Sequence, residues 1–275
     1  MIVTEFIGYN NNDAKELNQI NRVKDIVIKW GSQCNFTEMY FFFNINYFHE
    51  GLNIEWNSDE WNGEIDMIVL CRNYFIIFEL KNKKGIIKGQ TKRGQWKVKY
   101  ENYERFKSEK DYYLQCSRMK TFFSRNYWPK NIQPNIIEES KLRPDVLLIF
   151  QNGSDLLNVK FTPSKKIIVE DYNKILEKVN KKDANFMGQN FYYEDQQKVY
   201  LATYGVDLIN EDILERIYNY CGIENRVKKW FHVLTEDKLG ELLPSLGSDS
   251  FMITDKIINI LIKDFKLIKT NEYLA

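Results

Sequence analysis

Apolar and polar positions along this chain follow two periods, and the switches between them mark its elements. Residues 13–30, DAKELNQINRVKDIVIKW, space Leu17, Ile20, Val23, Val27 and Trp30 three or four residues apart. That is the period of one helical face, and Asp13 is placed to cap the helix. MYFFFNINYF (39–48) is dense in aromatics and reads as a strand, while the polar stretch 49–62 suits a hairpin or loop. EIDMIVL (64–70) and YFIIFELK (74–81) read as two strands joined by the turn Cys71-Arg72-Asn73. GIIKG (85–89) and WKVKY (96–100) are two more.

From Ser108 to about Asn126, Tyr112, Gln115, Met119 and Phe122 fall on one helical stripe. DVLLIF (145–150) is a buried strand followed by a turn, and 165–170 and 172–182 read as a strand and a helix. This order predicts an α/β domain over residues 1–182. Residues 183–275 are expected to form a mostly helical C-terminal extension, built on EDILERIYNYCG, EDKLGELL and TDKIINILIKDFKLI.

Composition changes this picture little. Apolar residues make up 44% and charged residues 28% of 275, which is ordinary for a globular protein. MIVTEFIGYN lacks the basic region and apolar stretch of a signal peptide, and no apolar run nears the ~20 residues of a membrane span. A cytoplasmic protein is expected. Cys34, Cys71, Cys116 and Cys221 form no CxxC pair, and with only His49 and His232 beside them a structural zinc site is not expected. There is also no Walker-type phosphate loop.

Charge changes it more. Residues 81–130 hold 15 Lys or Arg against 4 Asp or Glu, in a chain whose formal net charge is +1. A basic segment in an otherwise acidic chain suits a polyanion, although a solvated helical face gives the same count. The chemistry lies just ahead of that segment. In a strand, Glu79 and Lys81 point the same way, and a tight hairpin brings Asp66 beside Glu79. Two convergent carboxylates repel unless a proton or a cation sits between them. Mg²⁺ takes oxygen ligands of this kind, and an adjacent lysine can orient a water or offset developing negative charge. A surface Glu-x-Lys pair is the ordinary alternative. The rigid apolar strand and the adjoining basic segment favour a site.

The same residues carry a resemblance. GEIDMIVL, FIIFELKNKKGIIKG, Trp96 and YYLQCSRMKTFF, with RPDVLLIFQNG beyond them, resemble the nuclease-related domain (NERD) family of the PD-(D/E)xK restriction-endonuclease-like superfamily. The similarity spans roughly residues 13–182. It implies a mixed sheet flanked by helices and a metal-dependent nuclease core. Asp66 and Glu79 would be metal ligands for Mg²⁺ (or Mn²⁺), helped by the Leu80 carbonyl, with Lys81 as the catalytic lysine. Glu16 is the first-helix acid, with Asp25 as rival and a solvated helix residue as the alternative. Gln115 matches the family's helical glutamine, although the Asn-Pro pair often found before it is replaced here by KDYYLQ.

Lys83, Lys84, Arg118 and Lys120 are expected to contact phosphate, and Trp96 to be core. By the resemblance the implied partner is nucleic acid, most readily DNA, with a helicase or ATPase of a bacterial defence or DNA-processing system as a further expected partner; a homodimer is compatible. The competing expectations are an inactive nucleic-acid-binding module and a partner-docking protein.

Overall fold

The computed structural model describes residues 1–9, 14–47, 63–90, 96–101, 103–135, 142, 144–160, 231–246 and 251–275. Its centre is a seven-stranded mixed sheet. The strands are β1 (Ile2–Ile7), β2 (Glu38–Asn46), β3 (Glu64–Cys71), β4 (Tyr74–Lys81), β8 (Asp145–Phe150), β10 (Phe231–Thr235) and β11 (Ile268–Leu274). They lie in the order β10-β8-β4-β3-β2-β1-β11. β4 lies inside the sheet, antiparallel to β3 and parallel to β8. Phe75 to Leu80 are all buried, as expected of a strand covered on both faces.

Two helical layers supply that cover. On one face, α1 (Ala14–Gln33) lays down Ile20, Val23, Val27 and Trp30 against Met67, Val69, Ile76 and Phe78. Leu17, assigned to this stripe from its spacing, is exposed, and Gln19 is buried instead. On the other face, α2 (Tyr112–Thr121) and the π-helical run Phe122–Ile132 that continues it pack on Ile68, Leu70, Phe75 and Ile77. α3 (Asp255–Asp264) adds Ile257, Ile258 and Leu261 to this layer. α2 begins at Tyr112, capped by Asp111, whose carboxylate accepts from the Leu114 N–H at 3.0 Å. It does not begin at Ser108, because residues 107–109 are a strand.

That strand, β7 (Lys107–Glu109), belongs to a second, smaller sheet with β5 (Ile86–Gln90), β6 (Trp96–Lys99) and β9 (Asp155–Lys160), ordered β7-β6-β5-β9. Gly85, at φ +149°, turns the chain from the end of β4 into it; a Cβ there would collide with the Lys99 carbonyl. Trp96 is fully buried against Tyr112 and Phe150, the core position expected for it.

The expected mixed sheet flanked by helices is therefore present, compatible with a nuclease-like core. The mostly helical C-terminal extension is not confirmed: the described part of residues 231–275 is helical over Leu239–Leu242 and Asp255–Asp264, within the expected EDKLGELL and TDKIINILIKDFKLI, but it also gives two strands to the main sheet. β10 pairs with β8 at one edge of the main sheet, and β11 pairs with β1 at the other. Both pairings join positions remote in sequence, and a strand is held in place by its neighbour's hydrogen bonds, which local periodicity does not reveal. The expected boundary at residues 182/183, the strand and helix over 165–182 and the helix over 211–222 lie outside the described residues, as does His49. Among the described residues no helix is long and apolar enough to cross a membrane.

Candidate active site

The β3–β4 ladder ends where its side chains become charged. Its last paired residues are Met67 and Phe78, and one step further Asp66 and Glu79 face each other across the opening hairpin. Alternation puts both on the face that carries Ile68 and Ile77. Asp66 Oδ2 accepts from the Leu80 N–H at 2.5 Å, so a side chain replaces the missing ladder bond. N–H and C=O of one strand residue leave on the same side, and the Leu80 carbonyl therefore turns toward the same opening.

Glu79 is 2% exposed. Its Oε1 accepts from Gln115 Nε2 at 2.7 Å and from Lys81 Nζ, while Oε2 is buried with no hydrogen-bond partner among the described residues. A buried carboxylate oxygen left without a donor is costly unless a cation or a proton joins it. Lys81 Nζ also stands 4.9 Å from the centre of the Tyr112 ring, a cation–π contact.

Burial and the neighbouring Glu79 push the Asp66 carboxyl well above the usual carboxylate range, against the pull of Lys81 and the Leu80 N–H. Burial likewise raises Glu79, opposed by Lys81 and Gln115. For Lys81, burial favours the neutral amine, but Glu79 and Asp66 outweigh it and hold the ammonium above its ordinary value. The group is thus two carboxylates around one cation, with negative charge in excess. Glu16, in the first turn of α1, adds negative potential at both carboxylates. Burial and a hydrogen bond to Glu64, followed by the fields of Asp66 and Glu16, raise the Tyr9 hydroxyl.

Asp66, Glu79, Leu80, Lys81 and Gln115 are therefore brought together as the sequence implied. Glu16 reaches the group through its field; among the described residues no three His, Cys, Asp or Glu side chains form a metal-holding cluster. Arg118 and Gln115 line a cleft of about 710 Å³ with Tyr47, Glu64, Lys110 and Asp111. Lys120 lies further along α2, half-buried. Lys83 donates to Glu109, and Lys84 pairs with Glu101 at 3.2 Å. The positive charge of both is already met by an acid, which weakens the expectation that they lie open to phosphate. His232 sits on β10, 3.7 Å from Asp145 and away from this group.

Three contributors escaped the sequence reading. Gln19 is buried with Nε2 3.5 Å from the carbonyls of both Lys81 and Ile149, at the long end of hydrogen bonding. Tyr112 supplies the ring beneath Lys81 and donates to Glu109 at 3.2 Å. Glu109 also accepts from Tyr100 at 3.1 Å, which with Lys83 and Tyr112 keeps its carboxyl low despite its burial. Tyr112 had a visible signal, its helical spacing with Gln115. Glu109 had none, as one acid among many cations.

Residues 36–142 match the family model of the nuclease-related domain. No curated protein and no solved structure matches the chain. The matched segment is shorter than the similarity over 13–182 suggested, for it excludes α1 with Glu16 and also β8. It contains every member of the Asp66, Glu79, Lys81 and Gln115 group. Across residues 36–142, then, the chain carries a nuclease-related domain of the NERD family.

Proposed function

We propose that the chain is a divalent-metal-dependent nuclease that hydrolyses phosphodiester bonds, with DNA as substrate. One observation carries this reading: among the described residues Glu79 Oε2 is buried without a donor beside a second carboxylate, on a wall of the site where a lysine is already engaged by the other oxygen. The donor set fits a hard cation, since Asp66, Glu79 and the Leu80 carbonyl offer oxygen only. Mg²⁺ or Mn²⁺ bound there supplies Lewis-acid polarisation of the scissile phosphate and a water of lowered pKa.

The protein's own residues do the rest. Gln115 fixes the Glu79 rotamer through the 2.7 Å bond, and the Leu80 N–H does the same for Asp66. Lys81, held charged between Glu79 and the Tyr112 face, offsets negative charge as it develops on the phosphate.

Plasmid nicking in Mg²⁺, Mn²⁺ or EDTA tests the reading, with the natural protein set against Asp66→Ala and Lys81→Ala. Metal-dependent nicking should fall at least ~10²- to 10³-fold in both variants, the size of loss seen when one preorganised charge contact is removed. Nicking that survives both substitutions would place the chemistry elsewhere. Metal-independent DNA binding without nicking by any form would favour the inactive binding module.

A further inference from the structure

The small sheet has an inner and an outer face of opposite character. Ile87, Trp96 and Val98 point inward and are buried in the core shared with Tyr112 and Phe150. Alternation sends Lys88, Lys97 and Lys99 to the other face. The antiparallel register places Lys88 directly opposite Lys97, and Ile86 opposite Lys99. Lys88 and Lys97 are exposed and Lys99 half-exposed.

Like charges facing each other across a ladder are unfavourable, and folds usually interleave an acid. Here Ser108 of β7 stands opposite Lys97, and Asp155 of β9 lies at the far corner opposite Ile86. Among the described residues, Lys88, Lys97 and Lys99 form no ion pair; Lys88 has only the Phe106 ring, 4.2 Å from its ammonium. Lys83 and Lys84, a few residues earlier, are each met by a glutamate. Among the described residues, then, the basic segment is met by acids beside the site and by none on the outer face of this sheet.

Geometry narrows what could meet that charge. Same-face residues along a strand are about 6.6 Å apart and neighbouring strands about 4.8 Å, so the three ammonium groups stem from a rigid plane at short, regular steps. A nucleic-acid backbone repeats its phosphates on a comparable step. The platform is also tied to the site, because Trp96 on the inner face lies 5.4 Å from the Tyr112 ring that supports Lys81.

We propose that the outer face of the small sheet, through Lys88, Lys97 and Lys99, is a phosphate-backbone platform that carries nucleic acid past the hairpin end. The inference rests on the nuclease reading for its substrate, and it makes a separate claim about where the backbone runs.

The test measures binding without cleavage. Fluorescence anisotropy of a short labelled DNA duplex is followed over about 50–200 mM salt, in Asp66→Asn protein with EDTA, with and without Lys88→Gln, Lys97→Gln and Lys99→Gln together. Each backbone contact contributes about 0.9 to the slope of log K against log salt, so the triple variant should lower the slope by about 2 to 3. Lys256→Gln and Lys263→Gln on α3 serve as the control and should leave it unchanged. Far-ultraviolet circular dichroism and melting temperature confirm that the variants fold.

A folded triple variant with the parental slope overturns the platform, as does a fall in slope equal to the control's. The two readings separate cleanly. A protein that nicks DNA but keeps its slope in the triple variant retains the site and loses the platform. One that never nicks but loses the slope retains the platform and loses the nuclease.

Discussion

The end of the β3–β4 hairpin and the outer face of the small sheet both crowd like charges, but in opposite surroundings. At the hairpin, a half-buried Asp66 meets a buried Glu79, and the protein compensates in part, with Lys81, Gln115 and the Leu80 N–H. On the small sheet, Lys88 and Lys97 meet in solvent, and the described residues provide no counter-charge. Effective dielectric decides the consequence. A pair that repels weakly in water repels several-fold more strongly in a protein interior. The hairpin arrangement is therefore an expensive feature with specific geometry, and the sheet arrangement a cheap one with loose geometry. The first suits a bound ion at fixed distances, the second a mobile polyanion.

The largest effect expected from this contrast is at Lys81. Lys81→Ala leaves Glu79 buried beside Asp66 without the cation between them, and breaking a buried pair in this way costs about 3–5 kcal/mol. Urea unfolding of the metal-free protein measures it. A cost near that of a surface lysine would mean that Glu79 is hydrated or protonated, and that the hairpin end is as wet as the small sheet.

Asp66→Asn should act in the opposite sense. Asparagine keeps an acceptor for the Leu80 N–H while removing the repulsion between the two carboxylates. Both acids have folded-state pKa values raised above the unfolded ones, so the folded state holds more protons. Their contribution to stability is accordingly lost as pH rises, from the unfolded carboxylate range near ~4 up through the raised folded values. Raised Lys81 acts in the same sense, but its contribution is lost only above ~10, where the free ammonium titrates, outside this window. Melting curves in EDTA between pH 5 and 8 should show Asp66→Asn gaining on the natural protein as pH increases. Mg²⁺ should close the gap by stabilising the natural protein alone. A gap independent of pH would show that the carboxylate pair is not strained.

Gln115 offers a smaller and more selective test. Its side chain donates to Glu79 and, among the described residues, makes no hydrogen bond to the small sheet, so Gln115→Ala should weaken Mn²⁺ affinity by about 10- to 100-fold, as loss of an orienting contact does. The salt slope for DNA should stay as it is. A change in the slope and none in metal affinity would move Gln115 from the hairpin to the backbone path.

These two regions also differ in how far the sequence disclosed them. Asp66, Glu79 and Lys81 were visible because charge interrupts an apolar strand, and the two-residue spacing of Glu79 and Lys81 fixes a shared face once the strand is recognised. Gln115 was visible through its helical spacing with Tyr112 and Met119. Gln19 was not, since a polar residue on an amphipathic helix normally faces water and only the packing against Lys81 and Ile149 buries it. The same limit hid β10 and β11, whose partners lie far away in sequence. The lysines meet the same limit. Composition marked the whole of residues 81–130 as basic, but whether a lysine is met by an acid depends on cross-strand register. Lys83 and Glu109 come together only because β7 pairs with β6 and brings Glu109 beside Tyr112.

The smallest effect is the one that isolates the surface pair. Lys97→Thr removes one of two facing ammonium groups and places a β-branched residue on a half-exposed strand, where such residues pack well. Relief of a directly opposed like-charge pair should be worth about 0.2–1 kcal/mol, so the variant should melt slightly higher than the natural protein at low salt. Adding salt should erase the gain, because exposed charges are screened within ~10 Å at 0.1 M. The carboxylate pair at the hairpin, whose Glu79 is shielded from solvent, should keep more of its pH-dependent penalty at the same salt. If instead the Lys97→Thr gain survives high salt, it comes from strand propensity, and the two ammonium groups are far enough apart to ignore one another. If the hairpin's penalty fades with salt as readily as the sheet's, the dielectric contrast between the two regions is not there.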